Sequence, residues 1–487
     1  MMTRRQFAMS AAAFAVASGK IEGADAIRGN LRVGILSDIH VMRHDDKAAR
    51  MLYKALRHFR DRHVDAVMIT GDLTTTSMMV EFEAVAKVWN EVFPGDRLPD
   101  GEKVEKLFVS GNHDIDAWGK PGRKIGDVDK VMEQCMYFDT AAKWKRLYGE
   151  EYAPITCKVV KGYTFVLFNW VSLLAWHARN DEFFKQFKLE NDPHTAKAWF
   201  NRHGKTLPKD KPFFFLQHRH PYGTCSSPYS IDQDRTTGDV LGRYPNCIAF
   251  SGHSHRSLLE ERTIWQGKFT SVGCSALCGY AFTRGGRENG HCYDPAEKYN
   301  EMPCLDFMSC HQGMLMDVFD DRVVLERLDF AHEGVGKAKE DWIVPLGKDA
   351  PRPYTFAERE KNTPAPQFAA DVKATVREIA AGRNRRGEKI PQIEVSFPPV
   401  NGLDGGVRAF DYRVSCVFAW DDVRNTVAEA RVFSPNALQP AKYDVADVKC
   451  LFDRCRLPRG RELRMEVRPV NEWCREGNPI YSERFSL

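Results

Sequence analysis

The sequence predicts an α/β unit followed by a small all-β sandwich, and three observations carry that reading. Short apolar runs alternate with helix-period stretches through the first two thirds of the chain, and later runs alternate by twos. Polar clusters also recur at the C-terminal ends of the early apolar runs. The 487 residues are 43% hydrophobic, enough for two or three packed domains. Lysine and arginine nearly balance aspartate and glutamate, leaving a formal +4 with no long basic run. Charge therefore points to neither nucleic acid nor an anionic membrane, and no nucleic-acid partner is expected.

Thr3, Arg4, Arg5 and Phe7 precede an Ala-rich segment from Ala8 to Ser18 that is too short to span a bilayer. The pattern resembles a bacterial twin-arginine export signal over residues 1–26, with small-residue cleavage options at Ala15-Val16-Ala17 and Ala24-Asp25-Ala26. A periplasmic or extracellular location is expected. No later window supplies about 18 uninterrupted apolar residues, so no integral membrane segment is expected in the mature chain. The thirteen cysteines are an odd number, which leaves at least one unpaired within a monomer. Cys274, Cys278, Cys292, Cys304 and Cys310 crowd one segment, but their spacing is not that of a zinc module, and buried thiols or disulfides are expected there. Nothing in the sequence sets an oligomeric state.

After the signal, residues 27–346 read as strand LRVGIL, helix KAARMLYKALRHF, strand VDAVMIT, helix MMVEFEAVAKVW and strand KLFVS. Further strands are YTFVLF, KPFFFL, CIAF and FTSVG, and then MLMDVFDDRVVLERLDF turns at Asp320-Asp321. Residues 347–366 are rich in proline and charge, as a linker is. From 367 to 487, QIEVSF, DYRVSCVFAW, TVAEARVF, LRMEVRPV and IYSERF alternate by twos, which predicts a β-sandwich. The last stretch of about 27 residues resembles the closing strands of fibronectin type III domains.

Five polar clusters end apolar runs: Asp38 and His40; Asp72; Asn112, His113 and Asp114; His218 and His220; His253 and His255. In an α/β sheet the C-terminal strand ends share one edge, where loops converge into a crevice. Carboxylate and imidazole without thiolate suit Mn, Fe or Zn. In DxH and HxH, side chains at i and i+2 of an extended segment point the same way and can reach one site. A carboxylate such as Asp72 can bridge two ions about 3.5–4 Å apart, the separation used by two-metal hydrolases. Gly-Asp alone is an ordinary turn dipeptide, and Asp38 alone reads as a helix cap. The ordered set is what carries the signal.

The order DIH, GDL, GNHD, a histidine cluster and GHSH resembles the calcineurin-like metallophosphoesterase family, over roughly residues 31 to 345. The resemblance implies a two-sheet sandwich flanked by helices with a dinuclear centre at the strand ends. It implies Asp38, His40 and His255 on one divalent or trivalent ion, Asn112, His218 and His253 on a second, and Asp72 between them. Two such ions clamp a phosphoryl group and lower the pKa of water from about 15.7 toward 7. His113 is then the general acid for the leaving alkoxide, with Asp114 orienting its ring or raising its pKa.

Relatives usually place the histidine of the fourth cluster directly after the strand and two residues before a proline. Here the proline register falls on Arg219, which stays protonated and cannot bind a cation. Counting from the end of PFFFLQ selects His218. His220 is left as a contact to substrate phosphate or a surface residue before Pro221. Arg43, Arg219 and Arg256 adjoin ligand motifs and are either phosphate contacts or, as arginines more often are, solvated surface residues. Thr75 stands where purple acid phosphatases carry a tyrosine ligand, which disfavours an iron-tyrosinate centre. The arginine-bearing motifs of protein phosphatases are absent.

A secreted phosphomonoesterase or phosphodiesterase is the leading expectation. A nuclease is disfavoured by the lack of a basic, aromatic-interleaved stripe. The alternative outside enzymes is an exported protein that binds a glycan or a partner on a phosphoesterase scaffold. The stretch from Asp114 to Tyr152 and the loop from Gly279 to Gln312 are candidate specificity elements.

Overall fold

The computed structural model describes residues 28–115, 142–169, 195–225, 234, 236–278, 311–383, 388–402, 407–420, 423–434 and 447–487. The twin-arginine segment, most of the stretch between Asp114 and Tyr152 and residues 279–310 lie outside them. Strands β1 (Leu31–Leu36), β2 (Ala66–Thr70) and β3 (Glu105–Val109) pair parallel in that order. Helix α1 (Lys47–Asp61) buries Leu52, Ala55, Leu56 and Phe59, the three-four spacing of one helix face. Helix α2 (Met79–Val92) likewise buries Phe82, Val85, Ala86 and Trp89. Both helices share a core with Val67, Ile69 and Phe108 of the strands.

A second sheet has strands β4 (Ile155–Val160), β5 (Tyr163–Phe168), β6 (Phe213–Leu216), β7 (Cys247–Ser251), β8 (Ile264–Gln266) and β9 (Thr270–Gly273). Of these, β5, β6, β7 and β9 are parallel neighbours. Helices α3 (Thr195–His203) and α4 (Gly238–Leu241) cover its outer face, where Phe200, Val240 and Leu241 pack with Val166, Phe213, Phe215 and Ala249.

The chain then returns to the first sheet. Strand β10 (Gln312–Val318) pairs antiparallel with β1, and β11 (Arg322–Asp329) pairs with β10. The turn between them is centred on Asp320-Asp321, as the sequence predicts. Two short strands, β12 (Gly336–Lys337) and β13 (Trp342–Pro345), add to β11. Alternate residues of the two sheets face each other: Leu31, Val33, Ile35, Met68, Leu107 and Val109 meet Phe165, Leu167, Phe214, Leu216, Ile248 and Phe250. This period of two is why the strand runs are apolar on both faces, one for the helices and one for the opposite sheet. The expected two-sheet sandwich flanked by helices is the architecture observed.

Beyond it, β14 (Thr375–Arg383), β15 (Lys389–Phe397), β16 (Asp411–Trp420), β17 (Val423–Phe433), β18 (Val448–Asp453), β19 (Arg464–Val470) and β20 (Ile480–Tyr481) form two antiparallel sheets. Their orders are β14-β15-β18 and β17-β16-β19-β20. Ile393, Val395, Tyr412, Val414, Cys416 and Val467 fill the core between them.

The proline-rich connection is itself ordered. It contains α5 (Phe356–Asn362), Tyr354 exchanges backbone and side-chain bonds with Gln266, and Phe356 meets the Trp473 ring at 5.3 Å. Glu261, just after the HxH cluster, takes Arg327 at 2.9 Å, Lys339 at 2.6 Å and also Arg359 of α5. Arg408 donates to the Leu259 carbonyl, and Arg262 lies over the Phe410 ring at 5.4 Å.

Candidate metal centre

The loops after β1 and β2 are bonded to each other before any side chain is considered. Asp38 N donates to Gly71 O at 3.0 Å, Ile39 N and His40 N to Asp72 O, and Val41 N to Leu73 O. Asp38, His40, Asp72, His253 and His255 all have φ between 49° and 67°. The extended geometry expected for DxH and HxH is therefore not the one found. Left-handed residues turn these side chains inward, a conformation that Asn, Asp and His adopt more readily than other non-glycine residues.

The glycines of the motifs have a steric role. A Cβ on Gly71, itself at φ 100°, would lie 2.4 Å from His218 Nδ1. One on Gly111 would lie 2.2 Å from Asp72 Oδ1, and one on Gly252 would lie 2.3 Å from Asp38 Oδ2. Only hydrogen fits where the backbone approaches a donor this closely.

Two donor sets result. Asp38, His40, Asp72 and His255 each place one donor atom within 4.8 Å of the others, and so do Asp72, His218 and His253. His255 Nε2 lies 2.9 Å from Asp38 Oδ1 and 3.1 Å from His40 Nε2, which is 3.6 Å from Asp72 Oδ2. His218 Nε2 lies 3.1 Å from the same Asp72 Oδ2 and 3.3 Å from His253 Nδ1. Asp72 thus belongs to both sets. The backbone N–H of His113 donates to its other oxygen at 2.8 Å, which draws the Asn112 turn against it.

Burial and partners set the charges. Burial pushes the Asp38 carboxyl up, but His255 and His218 outweigh it and hold it at about 2. Asp72 is likewise buried yet held well below the usual carboxylate range, chiefly by His218. Burial acts downward on His218, whose pKa Asp72 nevertheless raises to about 9. His255 is raised in the same way by Asp38. Burial prevails at His40, lowered to about 3, and at His253. Carboxylates that stay ionised at nearly zero exposure, ringed by imidazole nitrogens, make a cation site in donor chemistry. Asn112 Oδ1 is buried with no hydrogen-bond partner, an acceptor still lacking its donor or cation.

His113 stands beside these sets, its ring edge-on to His40 at 4.7 Å, and its Nδ1 lies 2.8 Å from Thr75 O. Asp114, expected to orient His113, braces the backbone around Asp72. Its carboxylate accepts Leu73 N, Thr74 N, Thr74 Oγ1 and Gly111 N at 2.9–3.2 Å. Burial, with Asp72 nearby, raises it to about 6.

His220, expected as a substrate contact or a surface residue, is 2% exposed, and both its ring nitrogens are bonded to serine hydroxyls. Burial lowers it to about 3. Arg219 is partly exposed and adds to the positive field on His253. Arg43 is exposed, with its guanidinium 3.5 Å from Met78 Sδ, whereas Arg256 is buried and paired with Glu260 at 3.2 Å.

Cys278, read from the sequence as a buried thiol or disulfide partner, is a half-buried cysteine beside the donor sets. Its Sγ lies 3.8 Å from His255 Nδ1, and it forms a third group with His40 and His255. It follows β9, so the rule that found the other clusters, a polar residue soon after a strand end, was the available signal.

Residues 31–257 match the family model described as calcineurin-like phosphoesterase. No curated protein matches the chain. Among solved structures, a dimetal phosphatase from Danio rerio is 11% identical over 66% of this chain and 100% of its own, with a TM-score of 0.38. GAP50, the anchor in the inner membrane complex of Plasmodium, is 10% identical over 65% and 89%, with a TM-score of 0.39. A purple acid phosphatase from yellow lupin (Lupinus luteus) seeds is 14% identical over 65% and 53%, with a TM-score of 0.31. By the family match, the chain carries a calcineurin-like phosphoesterase domain at residues 31–257, and the donors from Asp38 to His255 lie within it.

Proposed function

We propose that the chain is an exported phosphoesterase that hydrolyses phosphate mono- or diesters at a dinuclear centre. Asp38, His40 and His255 would hold one ion, Asn112, His218 and His253 the other, and Asp72 would serve both. The observation that carries this reading is the orphaned, buried Asn112 oxygen on the turn bonded to Asp72. Left unmatched, such an atom costs about 1–3 kcal/mol, which a cation would remove. The oxygen and nitrogen donors suit Mn, Fe or Zn. When bound, such ions lower the pKa of water toward about 7 and offset phosphoryl charge.

The chain's own part is proton delivery and placement. With Nδ1–H donated to Thr75 O, His113 keeps Nε2 as the nitrogen that hands a proton to the leaving oxygen. Asp114 fixes the backbone on either side of Asp72. Export rests on the Arg4-Arg5 segment.

The test is turnover of p-nitrophenyl phosphate and bis-p-nitrophenyl phosphate by purified protein loaded with Mn. Hydrolysis of at least one is expected. Two bound ions with neither ester cleaved would replace this reading by that of a binding protein.

A further inference from the structure

The parallel pairing of β6 with β7 does not stop at the strand ends. After Leu216 pairs with Phe250, Gln217 N donates to Phe250 O at 3.1 Å and Gly252 N to His218 O at 2.9 Å. His220 then closes the two loops from its side chain. Its Nδ1 lies 2.6 Å from Ser251 Oγ and its Nε2 lies 2.6 Å from Ser254 Oγ. Cys225 Sγ approaches the same Nδ1 at 3.4 Å, and Asp234 N donates to the His220 carbonyl at 2.7 Å. The ring is thus tied on one side and its backbone on the other.

A neutral imidazole has one donor and one acceptor, which two hydroxyls can complement because each rotates to suit. Ser254 is the residue between His253 and His255, and Ser251 ends β7. His218 and His253 come from the two loops so joined and stand 3.3 Å apart, nitrogen to nitrogen.

We propose that His220 is a positioning residue. It latches the loop carrying His253 and His255 to the loop carrying His218, and so sets the spacing of the donor set that these share with Asp72. This rests on the metal-centre reading above. Partners that orient ligands from outside a metal's coordination shell are worth about 10–100-fold in affinity, and a loss of that order is expected for the ion held by His218 and His253.

The experiment is calorimetric titration of Mn(II) into the chelator-stripped full chain, with the unaltered protein first. His220→Leu fills the space without hydrogen bonds and should weaken the affected ion about 10–100-fold. His220→Gln, whose amide reaches the Nε2 position, should recover more of the loss than His220→Asn, which reaches only the Nδ1 position. Ser254→Ala should weaken the same ion and add little to His220→Leu, since the two remove one interaction.

Unchanged Mn(II) affinity in His220→Leu would overturn the latch and leave the metal centre standing. So would full additivity with Ser254→Ala, or equal affinities of the Leu and Gln variants. Failure of the unaltered chain to bind Mn(II) would instead remove the metal-centre reading, and the latch with it. Thermal unfolding of the stripped variants separates lost spacing from lost folding: similar midpoints with weakened Mn(II) binding are expected, and weakening only in variants that no longer melt cooperatively would count against the latch.

Discussion

A methyl group on Gly252 would stand 1.9 Å from Ser37 Oγ and 2.3 Å from Asp38 Oδ2, two atoms already bonded to each other at 2.5 Å. Gly252→Ala should therefore push Asp38 aside, lowering stability by about 1–3 kcal/mol. It should also reduce metal content; normal content by elemental analysis, with an unshifted melting temperature, would show that the loop yields freely. His113 lies outside both donor sets, so His113→Ala should slow ester turnover by about 10²–10⁴-fold while metal stoichiometry stays intact. Loss of bound metal in that variant would reassign the residue. The residue scale is also where the sequence was easiest to misread. Strand counting selects His218, and the structure puts that ring 3.1 Å from Asp72. No local pattern distinguishes the role of His220, because its serine partners lie more than thirty positions away.

At the scale of elements, Asp114 joins two loops that follow neighbouring parallel strands. Amides of Leu73 and Thr74 after β2 and of Gly111 after β3 converge on one buried carboxylate. Removing it strands several buried donors, so Asp114→Ala should cost on the order of 3 kcal/mol and loosen Asp72 with it. Denaturant unfolding measures the first effect and Mn(II) titration the second; a stable variant with normal Mn(II) affinity would contradict this bracing role. Apolar runs made most strands of the two-sheet unit legible, since they are buried on both faces. Strand β14 was not legible: among the described residues it pairs with β15 alone, Thr375, Arg377, Glu378 and Ala380 are exposed, and its apolar residues do not alternate by twos. Strand β18 does alternate buried and half-buried residues, but over a run of only six. The motif spacing disclosed the donors, but not that left-handed turns, rather than extended chain, direct them.

At the scale of the whole molecule, Glu261 is the junction. It receives Arg327 and Lys339, with Trp342 Nε1 at 3.2 Å, from the two-sheet unit, and Arg359 from the connecting helix whose ring partner is Trp473. Burial opposes its ionisation, but Arg327, Lys339 and Arg359 prevail and hold it well below its ordinary 4.5. A carboxylate with a depressed folded pKa contributes its full stability above the unfolded value and loses it as pH falls toward the folded one. Glu261→Gln should therefore lower stability on the order of 3 kcal/mol at neutral pH, and the difference from the unaltered chain should shrink in acid. Denaturant midpoints at both conditions measure it, and a difference that grows in acid would reverse the sign assigned here. The proline and charge that marked residues 347–366 in the sequence did not reveal this docking, because its partners lie far away in the chain.

The left-handed residues limit what can vary at the centre. Glutamate and cysteine can both bind metal, yet Asp38, His40, Asp72, His253 and His255 occupy a backbone conformation that favours Asn, Asp and His. Coordination chemistry and backbone sterics thus draw on the same short alphabet. A substitution tolerated by one is still filtered by the other at these five positions, so a change of metal preference would enter more easily through Asn112, His218 or Cys278, which lie outside that conformation.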